Sequence, residues 1–133
     1  MESIGIGLVI VSHSKHIAEG VVELISKVAK DVPITYVGGT EGGGIGTSFD
    51  QVDRVVSENP ADTLLAFFDL GSAKMNLKMV TDFSDKSIII NRVPIVEGAY
   101  NAAALLQAGA IQIQLAELEI NKLCIYEDGV FDS

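Results

Sequence analysis

His13, Asp69 and a glycine-rich segment, residues 38–46, are the parts of this sequence whose chemistry could combine. Each closely follows a run of apolar residues that predicts a buried strand, and six of the nine residues in the segment are glycine. The carboxyl ends of parallel strands meet at one edge of a sheet, where open α/β sheets bind ligands. If the three runs are neighbouring parallel strands, the imidazole, the carboxylate and the glycine loop lie at the same edge.

An imidazole beside a carboxylate and a glycine loop is suited to phosphoryl transfer. A histidine nucleophile needs one ring nitrogen without a proton, and Asp69 could accept the N–H of the other nitrogen of His13 and stabilise the developing charge. Backbone N–H groups of a glycine loop and of a helix start can hold phosphoryl oxygens, so we expect no metal site. The expected phosphate-binding residues are Ser14, Thr40, Gly42, Gly43, Gly44, Gly46, Thr47 and Ser72.

Each feature alone also has an ordinary structural explanation. A loop histidine is usually just solvated, as we expect for His16, a glycine-rich stretch is often a turn, and an aspartate at a strand end often caps a helix. Other phosphate-binding motifs fit less well. No Gly-Lys-Ser/Thr follows the glycines as in a Walker A loop, and the segment follows the second strand, unlike a dinucleotide fingerprint. A receiver domain would need acidic residues after the first strand, where Ser12 and Ser14 flank His13.

The hydrophobic pattern predicts an α/β fold around a parallel sheet, because apolar runs alternate with amphipathic stretches. The run 63–68 is continuous, as in a central strand that is covered on both faces. Ser48 and Gln51 form a capping box at the start of the second helix, and Ser72 is predicted to cap the third. Beyond Gly109 the apolar residues fit both a strand and a helix, and we favour a helix. Strands are predicted at 4–11, 34–37, 63–68 and 87–90, and helices at 14–30, 48–58, 72–83 and 96–107.

Composition narrows the class of protein. The 133 residues suit one domain, and the formal net charge of -9 argues against nucleic acid or an anionic membrane as the main partner. The single cysteine, Cys124, excludes an internal disulfide, and no Cys/His cluster indicates zinc. No stretch reaches the roughly 20 apolar residues of a membrane-spanning helix. The first apolar run is interrupted too early for a signal peptide. We therefore expect a soluble, cytoplasmic protein.

Four segments of the sequence together resemble a known family. The mannose-type EIIA domains of the phosphotransferase system carry similar segments, and the resemblance is closer to the phosphotransfer subunits of phosphoenolpyruvate-dependent dihydroxyacetone kinases. The resemblance spans about residues 4–110 and implies a three-layer sandwich with a mainly parallel four-stranded sheet, and a homodimer. We expect the phosphotransfer domain to cover residues 1–122. The role of the tail, residues 123–133, stays open. The segments are VIVSHS at 9–14, GGTEGGGIGTS at 38–48, FDLGSAKMN at 68–76 and VPIVEGA at 93–99.

The resemblance also implies roles for individual residues and for partners. His13 matches the histidine that the phosphocarrier protein HPr phosphorylates, and the family suggests Nε2 as the phosphorylated nitrogen. Asp69 matches the aspartate that hydrogen-bonds this histidine. In this branch the phosphoryl group passes to ADP, held with magnesium in a separate subunit, and the resulting ATP phosphorylates dihydroxyacetone carried on a third subunit. This chain itself is expected to bind no cofactor.

Two other functions remain open from the sequence. An EIIA subunit of a mannose-type sugar transporter would pass the phosphoryl group to an EIIB protein. Such domains typically have His-Gly at the active histidine and Asp-Leu-x-Gly-Gly-Ser-Pro after the third strand. This chain has His13-Ser14 and a different sequence after Asp69, which favours the kinase branch. A regulator whose affinity for a transcription factor changes on phosphorylation is the third possibility.

Overall fold

The computed structural model describes residues 5–109. Within them, strands and helices alternate strictly, as the hydrophobic pattern predicts. The predicted helix after Gly109, the end of the predicted domain and the tail at 123–133 lie outside the described residues. The elements are β1 (Ile6–Ser12), α1 (Lys15–Ser26), β2 (Ile34–Gly38), α2 (Phe49–Glu58), β3 (Thr63–Phe68), α3 (Gly71–Phe83), β4 (Ser87–Asn91) and α4 (Ile95–Gln107).

The four described strands form one sheet in the order β2-β1-β3-β4, and every neighbouring pair is parallel. Helices cover both faces, which confirms the predicted three-layer α/β sandwich. One apolar core lies between the sheet and α1 with α4, and the other lies between the sheet and α2 with α3. Strand β3 is buried almost throughout, as its continuous apolar run predicts.

The register of the sheet brings three strand ends together. Ser12 of β1 lies opposite Gly38 of β2, and Val11 lies opposite Phe68 of β3. His13 and Asp69 come directly after two of these strand ends, and the glycine segment begins at Gly38 itself, so all three start at the same edge of the sheet. This placement is what the sequence predicted from the parallel arrangement.

The ends of two helices differ from the prediction. Helix α1 ends at Ser26 because the chain then makes i→i+3 turns, with the N–H of Val28 bonded to the carbonyl of Ile25 at 3.1 Å. The prediction that Ser72 caps α3 is wrong. The cap is Leu70, in extended conformation and without a side-chain cap bond, and its carbonyl accepts from Ala73 N–H at 3.1 Å. Ser72 therefore lies within the first turn.

Candidate functional site

His13 lies between the end of β1 and the start of α1, with its side chain 13% exposed. The imidazole faces Asp69, which follows β3, and its Nδ1 lies 2.9 Å from the Oδ1 of that carboxylate. The backbone N–H of His13 also donates to Asp69, with distances of 3.0 Å to Oδ2 and 3.3 Å to Oδ1. The two residues that the sequence singled out are thus in direct contact.

The contacts of the ring assign different roles to its nitrogens. A carboxylate oxygen can only accept, so Nδ1 carries the proton that is donated to Asp69. Nε2 is then the nitrogen with the lone pair, and it forms a short hydrogen bond with the hydroxyl of Ser72, at the start of α3. The ring is contacted on both sides, and in its neutral form the carboxylate selects the tautomer with the lone pair on Nε2.

Asp69 is held by more than the histidine. The hydroxyl of Ser12 donates to its Oδ2 at 2.6 Å. Partial burial alone would raise the pKa of the Asp69 carboxyl, but the hydrogen bonds from Ser12 and His13 outweigh burial and hold the pKa below its ordinary value. The carboxylate is therefore charged at neutral pH and can stabilise a positive imidazole.

Ser14 caps α1 through its side chain. Its hydroxyl accepts the N–H of Ile17 at 3.3 Å, and its own N–H donates to the Ser12 hydroxyl at 3.0 Å. Ser14 was predicted to bind phosphate. In this structure its hydroxyl caps α1, and its N–H bond to Ser12 stabilises the turn that carries His13.

The glycine loop lies against the backbone of His13, through a bond of 2.9 Å from Gly46 N–H to the His13 carbonyl. Two of the other predicted donors, the amides of Gly43 and Gly44, bond within the loop. The N–H of Gly43 donates to the Thr40 carbonyl at 2.9 Å, and the N–H of Gly44 donates to the Thr40 hydroxyl at 3.1 Å. The amides of Gly43, Gly44 and Gly46 therefore stabilise the loop in this conformation, while Gly42 is exposed.

Thr47 and Ser72 connect the site to α3. The hydroxyl of Thr47 accepts from the side-chain amide of Asn76 at 3.4 Å, which joins the end of the glycine loop to this helix. Ser72 is exposed and is the predicted phosphate-binding residue that contacts the histidine ring directly. Sequence reasoning missed Ser12 and Asn76, since a polar residue at a strand end and an amide in a helix carry no distinctive pattern.

Over residues 5–109, no three or more histidine, cysteine, aspartate or glutamate side chains are grouped so that they could hold a metal ion. None of the helices in the described part is long and apolar enough to cross a membrane.

Comparison with known proteins finds the same family along most of the chain. The family model EIIA-man, described as the PTS system fructose IIA component, matches residues 7–115. The PTS-dependent dihydroxyacetone kinase phosphotransferase subunit DhaM of Lactococcus lactis subsp. lactis is 54% identical over 120 residues, which cover 87% of this chain and 98% of that protein.

A second relative and a solved structure also match most of this chain. The phosphoryl donor subunit DhaM of the PEP-dependent dihydroxyacetone kinase 1 of Listeria innocua is 54% identical over 101 residues, 76% of this chain and 82% of its own length. The crystal structure of EF1359, a protein of unknown function, superposes with a TM-score of 0.77 at 27% identity, covering 90% of this chain and 95% of that one. This chain accordingly belongs to the mannose-type EIIA family of the phosphotransferase system and, within it, to the DhaM phosphotransferase subunits.

Proposed function

We propose that this chain is a phosphohistidine relay. It accepts a phosphoryl group from phosphorylated HPr on His13 and passes it to ADP, bound with magnesium in a partner kinase subunit, in support of dihydroxyacetone phosphorylation. The observation that carries the proposal is the state of the ring, with Nδ1 bonded to Asp69 at 2.9 Å and Nε2 left with its lone pair. The 54% identity to two subunits named DhaM supports the kinase branch.

The loading step uses Nε2 as the nucleophile. Its lone pair attacks phosphorus, and the bond from phosphorus to the donor nitrogen breaks with its electron pair remaining on the donor. Nδ1 keeps its proton, and the carboxylate of Asp69 stabilises the positive charge that forms on the ring of His13. The hydroxyl of Ser72, which contacts Nε2 before the reaction, turns to donate to a phosphoryl oxygen.

The discharge step returns the ring to its starting state. A terminal phosphate oxygen of ADP attacks phosphorus, the bond from Nε2 to phosphorus breaks, and its electron pair returns to Nε2. Magnesium in the partner subunit would neutralise charge on the nucleotide, so the chain itself needs no cofactor. The proposal includes a homodimer that works in the cytoplasm, as the family resemblance implies.

Radiolabelled phosphoenolpyruvate with enzyme I and HPr tests the loading step. We expect an acid-labile phosphate on the wild-type chain and none on His13→Ala. His16→Ala is the matched control, because His16 is the other histidine of the chain and lies exposed on α1. Label that persists on His13→Ala would overturn the proposal.

The acceptor separates this function from that of a sugar-transporter EIIA subunit. Loaded protein should lose its label to ADP when the dihydroxyacetone kinase subunits are present, and dihydroxyacetone phosphate should form only when this chain is added. Transfer to an EIIB protein, with none to ADP, would instead support the transporter alternative.

A further inference from the structure

Ser12 is a polar side chain buried at the centre of the site. It is the last residue of β1, and only 1% of it is exposed. Its hydroxyl donates to Asp69 Oδ2 at 2.6 Å and accepts the N–H of Ser14 at 3.0 Å. A buried hydroxyl is costly to leave unpaired, and here it has a partner on each side.

The partners of Ser12 fix the direction of its proton. The N–H of Ser14 occupies a lone pair of the hydroxyl oxygen, and the carboxylate of Asp69 can only accept. The O–H bond therefore has to point at Oδ2. This makes Ser12 a one-way donor to Asp69.

The remaining contacts of Asp69 leave the rotation of its carboxylate weakly determined. The backbone N–H of His13 lies within 3.3 Å of Oδ1 and 3.0 Å of Oδ2, so it bonds both oxygens. The terminal torsion of an aspartate is broad, and a shared donor restricts it little. Ser12 bonds Oδ2 alone, which turns Oδ1 toward the His13 ring.

We propose that Ser12 is a positioning residue for the phosphoryl transfer, because its hydroxyl sets the orientation in which Asp69 meets Nδ1 of His13. The proposal rests on the proposed function for its effect on rate, whereas the hydrogen-bond geometry stands without it. Ser12 is too buried to reach the phosphoryl group, so its hydroxyl acts through its partners, of which Asp69 is the one that meets the ring. The hydrogen bond from Ser12 also helps to hold the pKa of the Asp69 carboxyl below its ordinary value, against the effect of burial.

The test compares Ser12→Ala with the wild-type protein by two measurements. Carbon-13 NMR of the carboxyl groups follows the titration of Asp69, and we expect its pKa to rise in Ser12→Ala because a donor to the carboxylate is lost. The rate of His13 phosphorylation at saturating phospho-HPr should fall by about tenfold or more, as for the loss of a hydrogen bond to a charged group. The KM for phospho-HPr should stay unchanged, since Ser12 is buried.

Two further variants make the comparison specific. Ser12→Thr keeps the hydroxyl on a residue that suits a strand, and it should restore both the titration and the rate. Ser84→Ala is the matched control, because Ser84 accepts a hydrogen bond from Lys86 N–H at 3.1 Å in the loop before β4, away from the histidine. It should change neither measurement.

The outcomes distinguish this inference from the proposed function. An unchanged Asp69 titration in folded Ser12→Ala, or a slower rate without a change in that titration, would overturn the positioning role. If the Asp69 titration shifts in Ser12→Ala but the wild type takes up no phosphate, the hydrogen bond from Ser12 is supported and the proposed function is overturned. If Ser12→Ala does not fold, Ser12→Cys, which keeps the size and weakens the donor, decides by the same two measurements.

Discussion

The imidazole of His13 contacts a carboxylate at one nitrogen and a hydroxyl at the other, and these two contacts define the chemistry of the ring. Asp69 accepts at Nδ1 and stays charged at neutral pH, while the Ser72 hydroxyl contacts Nε2 at the exposed side of the ring. In a neutral ring, a proton on Nδ1 leaves the lone pair on Nε2. The sequence suggested the residues, and the geometry shows which nitrogen faces the carboxylate.

Removing the Ser72 hydroxyl should slow phosphorylation of His13. In Ser72→Ala, a phosphoryl group on Nε2 loses a nearby donor, and a net hydrogen bond of about 0.5–1.5 kcal/mol corresponds to a rate lower by roughly two- to twelvefold. Quench-flow labelling with phospho-HPr measures the rate. Ser72→Thr retains a hydroxyl and should stay close to wild type. A faster Ser72→Ala would mean that the hydroxyl only blocks Nε2 in the resting protein.

At the scale of elements, the site depends on how closely α1 approaches β2. A Cβ atom on Gly38, the last residue of β2, would overlap the carbonyl oxygen of Ser14 and lie 2.7 Å from Lys15 Cα. Glycine is needed here because backbone meets backbone, with no flexible side chain that could move away. The turn that carries His13 is thereby packed directly against the strand next to it.

Gly38→Ala should therefore destabilise the fold, by about 1–3 kcal/mol, as overpacking of a tight contact does. Gly20→Ala in α1 is the control, and its stability should change in the opposite direction, because a Cβ there meets nothing within 4 Å. Alanine in a helix interior should raise the free energy of unfolding by about 0.5–1 kcal/mol relative to glycine. Urea denaturation measures the free energy of unfolding of both variants. Equal free energies for Gly38→Ala and Gly20→Ala would contradict the close approach at Gly38.

The fold could be predicted from the sequence further than the site could. Apolar runs and breaks located all four strands and helices of residues 5–109 because burial follows from side-chain type. The start of α3 could not be predicted, because Ser72 is a good capping residue and only the backbone at Leu70 decides against it. The loop amides of Gly43 and Gly44 look free in a sequence, since the direction of an N–H depends on the fold of the loop. The role of Ser12 depends on its burial, which its residue type does not indicate.

At the scale of the whole molecule, lowering the pH affects the stability of the fold in two opposing ways. The chain carries 18 aspartate and glutamate residues against 9 lysine and arginine residues, so mild acid relieves repulsion among its negative charges. Asp69 acts in the other direction, because its hydrogen bonds are made to the charged form. A comparison between wild type and a variant at Asp69 separates the two effects, since all the other carboxyl groups are shared.

Asp69→Asn should be less stable than wild type at neutral pH and should converge with it in acid. The folded-state pKa of Asp69 is lowered, so its stabilisation is present above the unfolded pKa, near 4, and is lost as the pH falls through the folded value. Asparagine resembles the protonated side chain, which has no such stabilisation to lose. Urea denaturation of both proteins at several pH values between about 7 and 2 measures the difference in free energy of unfolding. A difference that stays constant down to the lowest pH, or grows there, would contradict the role of the charged Asp69 in holding His13 and Ser12.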